Sequence, residues 1–332
     1  MNAGPRNARI IATGMHAPDR VVPNSWFDRH LGEDVGTWLV ENLTIRERRW
    51  CADGESTADL AVAAAGPMLG RAGLAPTDLD LIIVATDTPE FVSPSTAAVV
   101  QDRLGAAKAG TFDLNTACAG FVTALDAGAK YIRADRRYRH VLVVGAYAMS
   151  RHLDLDDKKT VTLFADGAAG VVLQAHDGPA GWQAARLHTE GQYHGWMGIY
   201  AGGARTPVTA GVLAAGDHKL RFVQKFPKEI NPATWTAMVT ATVADAGRTV
   251  ADIDRIFFTQ ININSIRETM ANLDLPLERT HCVMDRYGYT GSACIPMCLA
   301  EADAQGKLRP GDFVVFMGSG GGLAFACAAF TW

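Results

Sequence analysis

The residue types with the most chemistry to offer are six cysteines, at 51, 118, 282, 294, 298 and 327, and a glycine-rich segment, Gly318-Ser-Gly-Gly-Gly322. Cys118 has the most telling neighbourhood. It lies in Asp113-Leu-Asn-Thr-Ala-Cys118-Ala-Gly120, an extended run that passes into apolar residues Phe121, Leu125, Ala129 and Ile132 at three- and four-residue steps. That spacing predicts a helix, so the cysteine falls where a strand stops and a helix starts, with Asn115 or Thr116 as N-cap and Gly120 allowing a close first turn. Free backbone N–H groups and the helix dipole would favour a thiolate there, which makes Cys118 a candidate nucleophile for covalent catalysis. The alternative is a small buried hydrophobe, the usual state of a free cysteine. The glycine segment reads as a tight turn between two closing strands. Cys294 and Cys298, one helical turn apart and not far from His281-Cys282, lack metal-ligand spacing and read as core packing, so no metal is expected.

The bulk of the chain narrows the setting. Its 332 residues are 48% apolar, enough for one large core or two smaller ones, and the net charge of −4 offers no field for nucleic acid or an anionic membrane. The cysteines form no regular framework and are expected to be reduced thiols. The N-terminal Met1-Asn-Ala-Gly-Pro-Arg6 lacks a signal-like apolar stretch, and no later run approaches membrane-spanning length. A soluble, cytoplasmic protein is the expectation.

The positioning elements follow from apolar patterning. Strands are expected at Ala8–Gly14, Leu79–Thr86, His140–Gly145 and Ala168–Leu173, alternating with helices at Asn24–Leu43, Ala58–Ala72, Ser95–Leu104 and after Cys118. From residue 176 the same order recurs: helix Asn231–Ala246, strand Asp254–Phe258, helix Ile263–Leu273, strand His281–Met284, helix Ala293–Gln305, then strands Asp312–Phe316 and Leu323–Cys327. Alternating strands and helices imply a layered α/β fold. The recurrence implies a pseudo-duplicated chain with halves 1–175 and 176–332, the segment Ala175–Gly181 marking the boundary.

Ile45-Arg-Glu-Arg48, the Asp113–Gly120 run, Phe164-Ala-Asp-Gly-Ala-Ala-Gly170, Asp285-Arg-Tyr-Gly-Tyr-Thr290 and Gly320-Gly-Gly322 together resemble the β-ketoacyl-ACP synthase III family, in the same order and at nearly the same spacing over essentially the whole chain. The resemblance implies a thiolase-like five-layered αβαβα fold of two similar halves and a homodimer. It also implies that Cys118 accepts an acyl group from a CoA or acyl carrier protein thioester, with no cofactor, the oxyanion being held by the Cys118 N–H and one from Gly321 or Gly322. By the same carry-over, Trp38 stacks on the CoA adenine with Arg151 beside it, Arg221 stands at the tunnel mouth, and Asn262 belongs to the active-site loop. Ser93 reaches into the partner's acyl pocket, where a small residue leaves room for an acyl group bulkier than acetyl.

Two positions depart from the family pattern. Thr259 stands where the resemblance puts a catalytic histidine, and Tyr289 where it puts an asparagine. Those two donors normally hold the thioester carbonyl that becomes an enolate as malonyl-ACP loses CO₂, and losing even one such donor typically costs about two to three orders of magnitude in rate. Asn42 replaces an adenine-flanking arginine, and Asn264, Ala271 and Asn272 replace basic residues of the carrier-docking helix, leaving Arg267. The expected activity is therefore acylation of Cys118 followed by transfer to a small-molecule amine, alcohol or carbon acceptor without decarboxylation, in secondary metabolism. A decarboxylating synthase using Thr259 and Tyr289, and a non-catalytic partner subunit, stay open as alternatives. His281 and His152 are the candidate bases.

Overall fold

The computed structural model describes residues 6–332. Two sheets organise the chain. The first holds β1 (Arg6–His16), β2 (Leu81–Ala85), β3 (Gly110–Leu114), β4 (His140–Ala148) and β5 (Asp166–Asp177) in the order β1-β5-β4-β2-β3. The second holds β6 (Gly181–Thr189), β7 (Arg255–Phe258), β8 (Phe313–Gly320) and β9 (Ala324–Thr331) in the order β7-β8-β9-β6. Read from the other end, the second order matches the first with its last strand missing. Within each sheet the inner pairs β2–β4 and β7–β8 are parallel, and the two outer pairings on the other side are antiparallel. The chain crosses from one sheet to the other between Asp177 and Gly181.

Helices fill three layers around these sheets. Helix α1 (Thr57–Ala72) and α2 (Thr96–Leu104) cover the outer face of the first sheet. Between the sheets run α3 (Gly120–Ala134) and α6 (Cys294–Ala304), while α4 (Ile230–Asp245) and α5 (Ile263–Asn272) cover the second sheet. The result is the five-layered αβαβα arrangement of two similar halves. Patterning explains the order of the layers. Strand β2 is Leu-Ile-Ile-Val-Ala with every residue buried, as a strand covered on both faces requires. Helix α6 buries Cys294 through Ala300 without a polar stripe, as a helix enclosed on all sides must. Helix α1 starts in a capping box, Ser56 accepting from the Asp59 N–H and the Asp59 carboxylate accepting from the Ser56 N–H at 2.9 Å.

Three expectations change. Asn24–Leu43 is two helices, Asn24–Leu31 and Gly36–Leu43, because Gly32 takes a left-handed conformation and Asp28 accepts from the Gly36 N–H at 2.8 Å to start the second. His281–Met284 is not a strand. Only Thr280 bridges to Ile256, and Met284–Tyr287 turns into a short helix, since so brief an apolar run cannot hold a ladder against that turn. Neither Asn115 nor Thr116 caps α3. The N-cap is Ala119, the Asn115 carbonyl oxygen of the side chain accepts from the Ala117 N–H at 2.9 Å, and the Thr116 hydroxyl pairs with Thr123 at 3.0 Å. Among the described residues no helix is long and apolar enough to cross a membrane.

Candidate active site

Cys118 lies in the short link between β3 and α3. The link turns sharply at Ala117, whose φ of +46° is left-handed and strained for a residue with a Cβ. The second half meets it through the β8–β9 turn. A Cβ on Gly320 would come within 2.5 Å of the Cys118 nitrogen and 2.7 Å of the Thr116 oxygen, so only glycine permits this backbone-on-backbone contact. The glycine segment, expected to be all turn, is not: Gly318 to Gly320 complete β8 in register with β9, only Gly321 and Gly322 belong to the turn, and both parts wall the site.

Two cavities meet at the Cys118 side chain. One, of about 290 Å³, is lined by Trp38, Lys225, Lys228, Asn262, Tyr289 and Gly321 among others. The other, of about 260 Å³, is lined by Asp87, Asn115, Tyr147, His194, Met197, Tyr200, Gly321 and Gly322 among others.

The electrostatics differ from the thiolate expected at a helix start. Burial pushes the Cys118 thiol well up, and the nearby Asp87 charge pushes the same way, while the neighbouring Tyr289 hydroxyl pulls it down. Desolvation outweighs the helix terminus, so the resting group is a thiol. Tyr289 is itself buried and its phenol raised well above the ordinary tyrosine value, first by burial and then by Cys118, so it stays a protonated donor. Cys294 stands near enough to influence Cys118 and is pushed up to about 12 by burial, which suits an inert core thiol. Among the described residues no group of three or more His, Cys, Asp or Glu side chains is placed to hold a metal ion.

Thr259 follows β7 directly, but its hydroxyl faces the sheet. It accepts from the Ser319 N–H at 2.9 Å and donates to the Ser319 carbonyl at 3.2 Å, and it lines neither cavity. Asn262 caps α5 by accepting from the Asn264 N–H at 2.9 Å and also lines the first cavity. Trp38 is 56% exposed at that cavity's mouth. Arg151 is turned away from it, donating to the carbonyls of Ala52 and Glu55. Arg221 is held on the surface by Asp217 at 2.6 Å. Ser93 lies in an exposed loop beside Phe91 and Val92, which are 52% and 89% exposed. Asn42, Asn264, Arg267, Ala271 and Asn272 lie on or near the surface around α5, the Asn264 amide donating to the Asn42 carbonyl at 3.0 Å.

Neither candidate base reaches Cys118 along the cavity walls. His281 pairs with Glu301 at 2.8 Å and with Lys307 at 3.1 Å, in a network that Arg286 joins. His152 is part-buried, and burial followed by Lys219 and His218 lowers its affinity for a proton. The residue that sequence reasoning passed over is Asp87, and the sign was there: a charged side chain two residues past the end of an all-apolar parallel strand, where open α/β sheets bind ligands.

Family models for 3-oxoacyl-[acyl-carrier-protein] synthase III match residues 112–191 and, as its C-terminal part, 243–332. The chain is 36% identical over 328 residues to a β-ketoacyl-[acyl-carrier-protein] synthase III of Roseiflexus castenholzii, covering 98% of both chains. The chain belongs to the 3-oxoacyl-[acyl-carrier-protein] synthase III family. Another relative carries a different name: acetoacetyl CoA synthase NphT7 of a Streptomyces species is 38% identical, again over 98% of each chain. Among solved structures, the synthase III of Thermus thermophilus superposes with a TM-score of 0.88 at 31% identity, over 98% of this chain and 99% of that one. The synthase III of Aquifex aeolicus gives the same TM-score at 29% identity, over 98% and 100%. The five-layered architecture is therefore that of the synthase III and thiolase fold, and the chain is a synthase III-like enzyme of acyl transfer or condensation.

Proposed function

We propose that this synthase III-like chain is a thioester-dependent acyltransferase that does not decarboxylate malonyl groups. Cys118 attacks the carbonyl of an acyl-CoA or acyl-carrier thioester; the C–S bond to the departing thiol breaks, the Cys118 proton leaves with that thiol, and an acyl-enzyme remains. The Cys118 N–H and one from Gly321 or Gly322 hold the oxyanion. An amine, alcohol or carbon nucleophile then takes the acyl group. Trp38, Lys225 and Lys228 at the mouth of the first cavity suit the nucleotide and phosphates of CoA or the phosphate of a carrier's arm. The exposed Phe91 and Val92 beside Ser93 suit a homodimer that covers them. A cytoplasmic enzyme of secondary metabolism fits this reading.

The observation that carries it is the state of Thr259 and Tyr289. The Thr259 hydroxyl is spent on the Ser319 backbone and lines neither cavity, so it is no preorganised donor to an enolate, and the one polar group left at the other position is the buried phenol of Tyr289 beside Cys118. The names of the relatives favour the second reading, a decarboxylating condensation.

Intact-protein mass spectrometry with a panel of acyl-CoA and acyl-carrier thioesters, with Cys118→Ala as control, tests the acyl-enzyme. Release of CO₂ from malonyl thioesters tests the rest. An adduct lost in the control without CO₂ release supports the transferase; CO₂ release at rates ordinary for a synthase III supports the condensation; no adduct from any donor leaves a non-catalytic partner subunit.

A further inference from the structure

Three acidic side chains around the first sheet are well provided with donors. Asp113 accepts from the N–H groups of Thr96 and Ala97 at 2.6 and 2.7 Å. Asp166 accepts from the Cys51 N–H at 2.7 Å, the Ser150 N–H at 2.8 Å and the Ser150 hydroxyl. Asp126 takes the Trp182 indole N–H at 3.0 Å and Lys130 at 2.6 Å. Asp87 differs: its Oδ1 is enclosed and has no partner at all. What surface the residue retains faces the cavity it lines together with Cys118, Asn115, Tyr147 and Tyr200. An enclosed carboxylate oxygen without a donor is costly, and such an orphan calls for an explanation. The chemistry proposed above makes no use of it.

A bound group that brings a donor resolves the cost. We propose that Asp87 selects the acyl group that Cys118 carries: the cavity they share takes an acyl chain bearing a hydrogen-bond donor, a hydroxyl or an ammonium, which donates to the Asp87 carboxylate where it lines that cavity. The inference rests on the reading that Cys118 is the acylated residue. Plain alkyl chains would fill the same space and leave the carboxylate unpaired, and a site built to bond a polar group discriminates strongly against the analogue that lacks it. Burial pushes Asp87 up to about 6, so at neutral pH it is still mainly the anion and an acceptor only.

The test uses thiol-specific probes that need no acyl transfer. Methanethiosulfonates carrying propyl, 2-hydroxyethyl or 2-aminoethyl groups form a disulfide with a thiol and release methanesulfinate; labelling at Cys118 is followed by peptide mass, and each rate is divided by that with free cysteine. In the wild-type protein one of the polar probes is expected to label at least 10-fold faster than propyl. If the donor is an ammonium, the aminoethyl preference disappears in Asp87→Asn. If it is a hydroxyl, the preference survives in Asp87→Asn, whose carbonyl still accepts, and disappears in Asp87→Val. Polar and propyl rates within twofold of each other in the wild type, or a preference that neither variant moves, overturn the proposal. Because the probes bypass thioesters, a preference that persists where no thioester acylates Cys118 sinks the transferase reading alone, and thioester labelling without any preference sinks this one alone.

Discussion

Tyr289 and Cys118 stand side by side on the wall of the first cavity, the tyrosine at a position where the synthase III resemblance puts an asparagine, and its hydroxyl pulls the Cys118 thiol toward ionisation. Together with the Cys118 backbone N–H it works against burial, which drives the thiol away from ionisation. The phenol is fixed by packing against Phe164, ring centroids 5.3 Å apart. In the transferase proposed above, Tyr289 serves Cys118 and not the second substrate.

Replacing Tyr289 with Phe removes the hydroxyl that favours the thiolate and leaves the ring in place. A hydrogen bond to a charged group is worth about 1.5–3 kcal/mol, so alkylation of Cys118 by iodoacetamide should slow by roughly 10- to 100-fold at a given pH. The sign follows from the direction of the shift. The hydroxyl lowers the Cys118 pKa, so its loss moves the rise in the pH–rate profile to higher pH. Peptide-resolved alkylation rates measure this, and an unmoved profile would detach Tyr289 from the thiolate.

Thr259→Val tests whether the threonine is structural. The variant leaves the buried Ser319 N–H without its acceptor, a loss of about 1–3 kcal/mol that a denaturant midpoint records at unchanged slope. Acylation of Cys118 should stay within about twofold of wild type, because the hydroxyl lines neither cavity. A large drop in acylation with normal stability would return Thr259 to the catalytic machinery.

Two neighbouring glycines should respond in opposite ways. Gly320→Ala drives a Cβ into the Cys118 and Thr116 backbone, which cannot swing aside as a flexible side chain would. Overpacking of this kind typically costs about 1–3 kcal/mol, and a displacement of about 1 Å at the reacting atom can cost about 100-fold in rate. Gly321→Ala meets its nearest neighbour at an ordinary 3.5 Å and should fold and acylate normally. Thermal midpoints and acylation rates of the pair decide it.

His281→Gln should leave acylation intact and affect stability only. Burial lowers the His281 pKa more than Glu301 raises it, so its neutral form is favoured on folding. A histidine lowered in this way stabilises above its unfolded value and loses that contribution as pH falls through it. For Glu301 burial is the largest single effect and raises the pKa, but Arg286 and His281 together outweigh it and lower it, so it likewise contributes above its unfolded value and loses out as pH falls. The wild type should therefore lose stability on acidification through the histidine range, and His281→Gln should lose less. Equal pH dependence in the two proteins would show that this network does not matter.

Much of the architecture was legible because apolar runs report burial directly. Leu81–Ala85 could only be a covered strand, and the 3–4 spacing after Cys118 only a helix. That Cys118 and the glycine segment belong to one place was legible too, since their residue types are uncommon and their order is specific. What escaped was long-range pairing. That Thr259 bonds Ser319 depends on β7 and β8 lying parallel, and that His281 finds Glu301 depends on α6 passing beside its loop. The thiolate expectation failed for a related reason: a helix terminus is local, whereas the desolvation that opposes it comes from both halves of the chain closing over Cys118.

The place of α3 between the two sheets has a consequence for how the site is lost. Its buried face includes Phe121, Leu125, Ala129 and Ile132, and it packs on strands of both halves. Its amides should then exchange with deuterated solvent only through global opening, among the slowest in the molecule. Nucleophile and fold would share one lifetime: a protein that still protects these amides still has its cysteine in place, and no partial unfolding exposes Cys118 to stray oxidation while the rest of the chain stands.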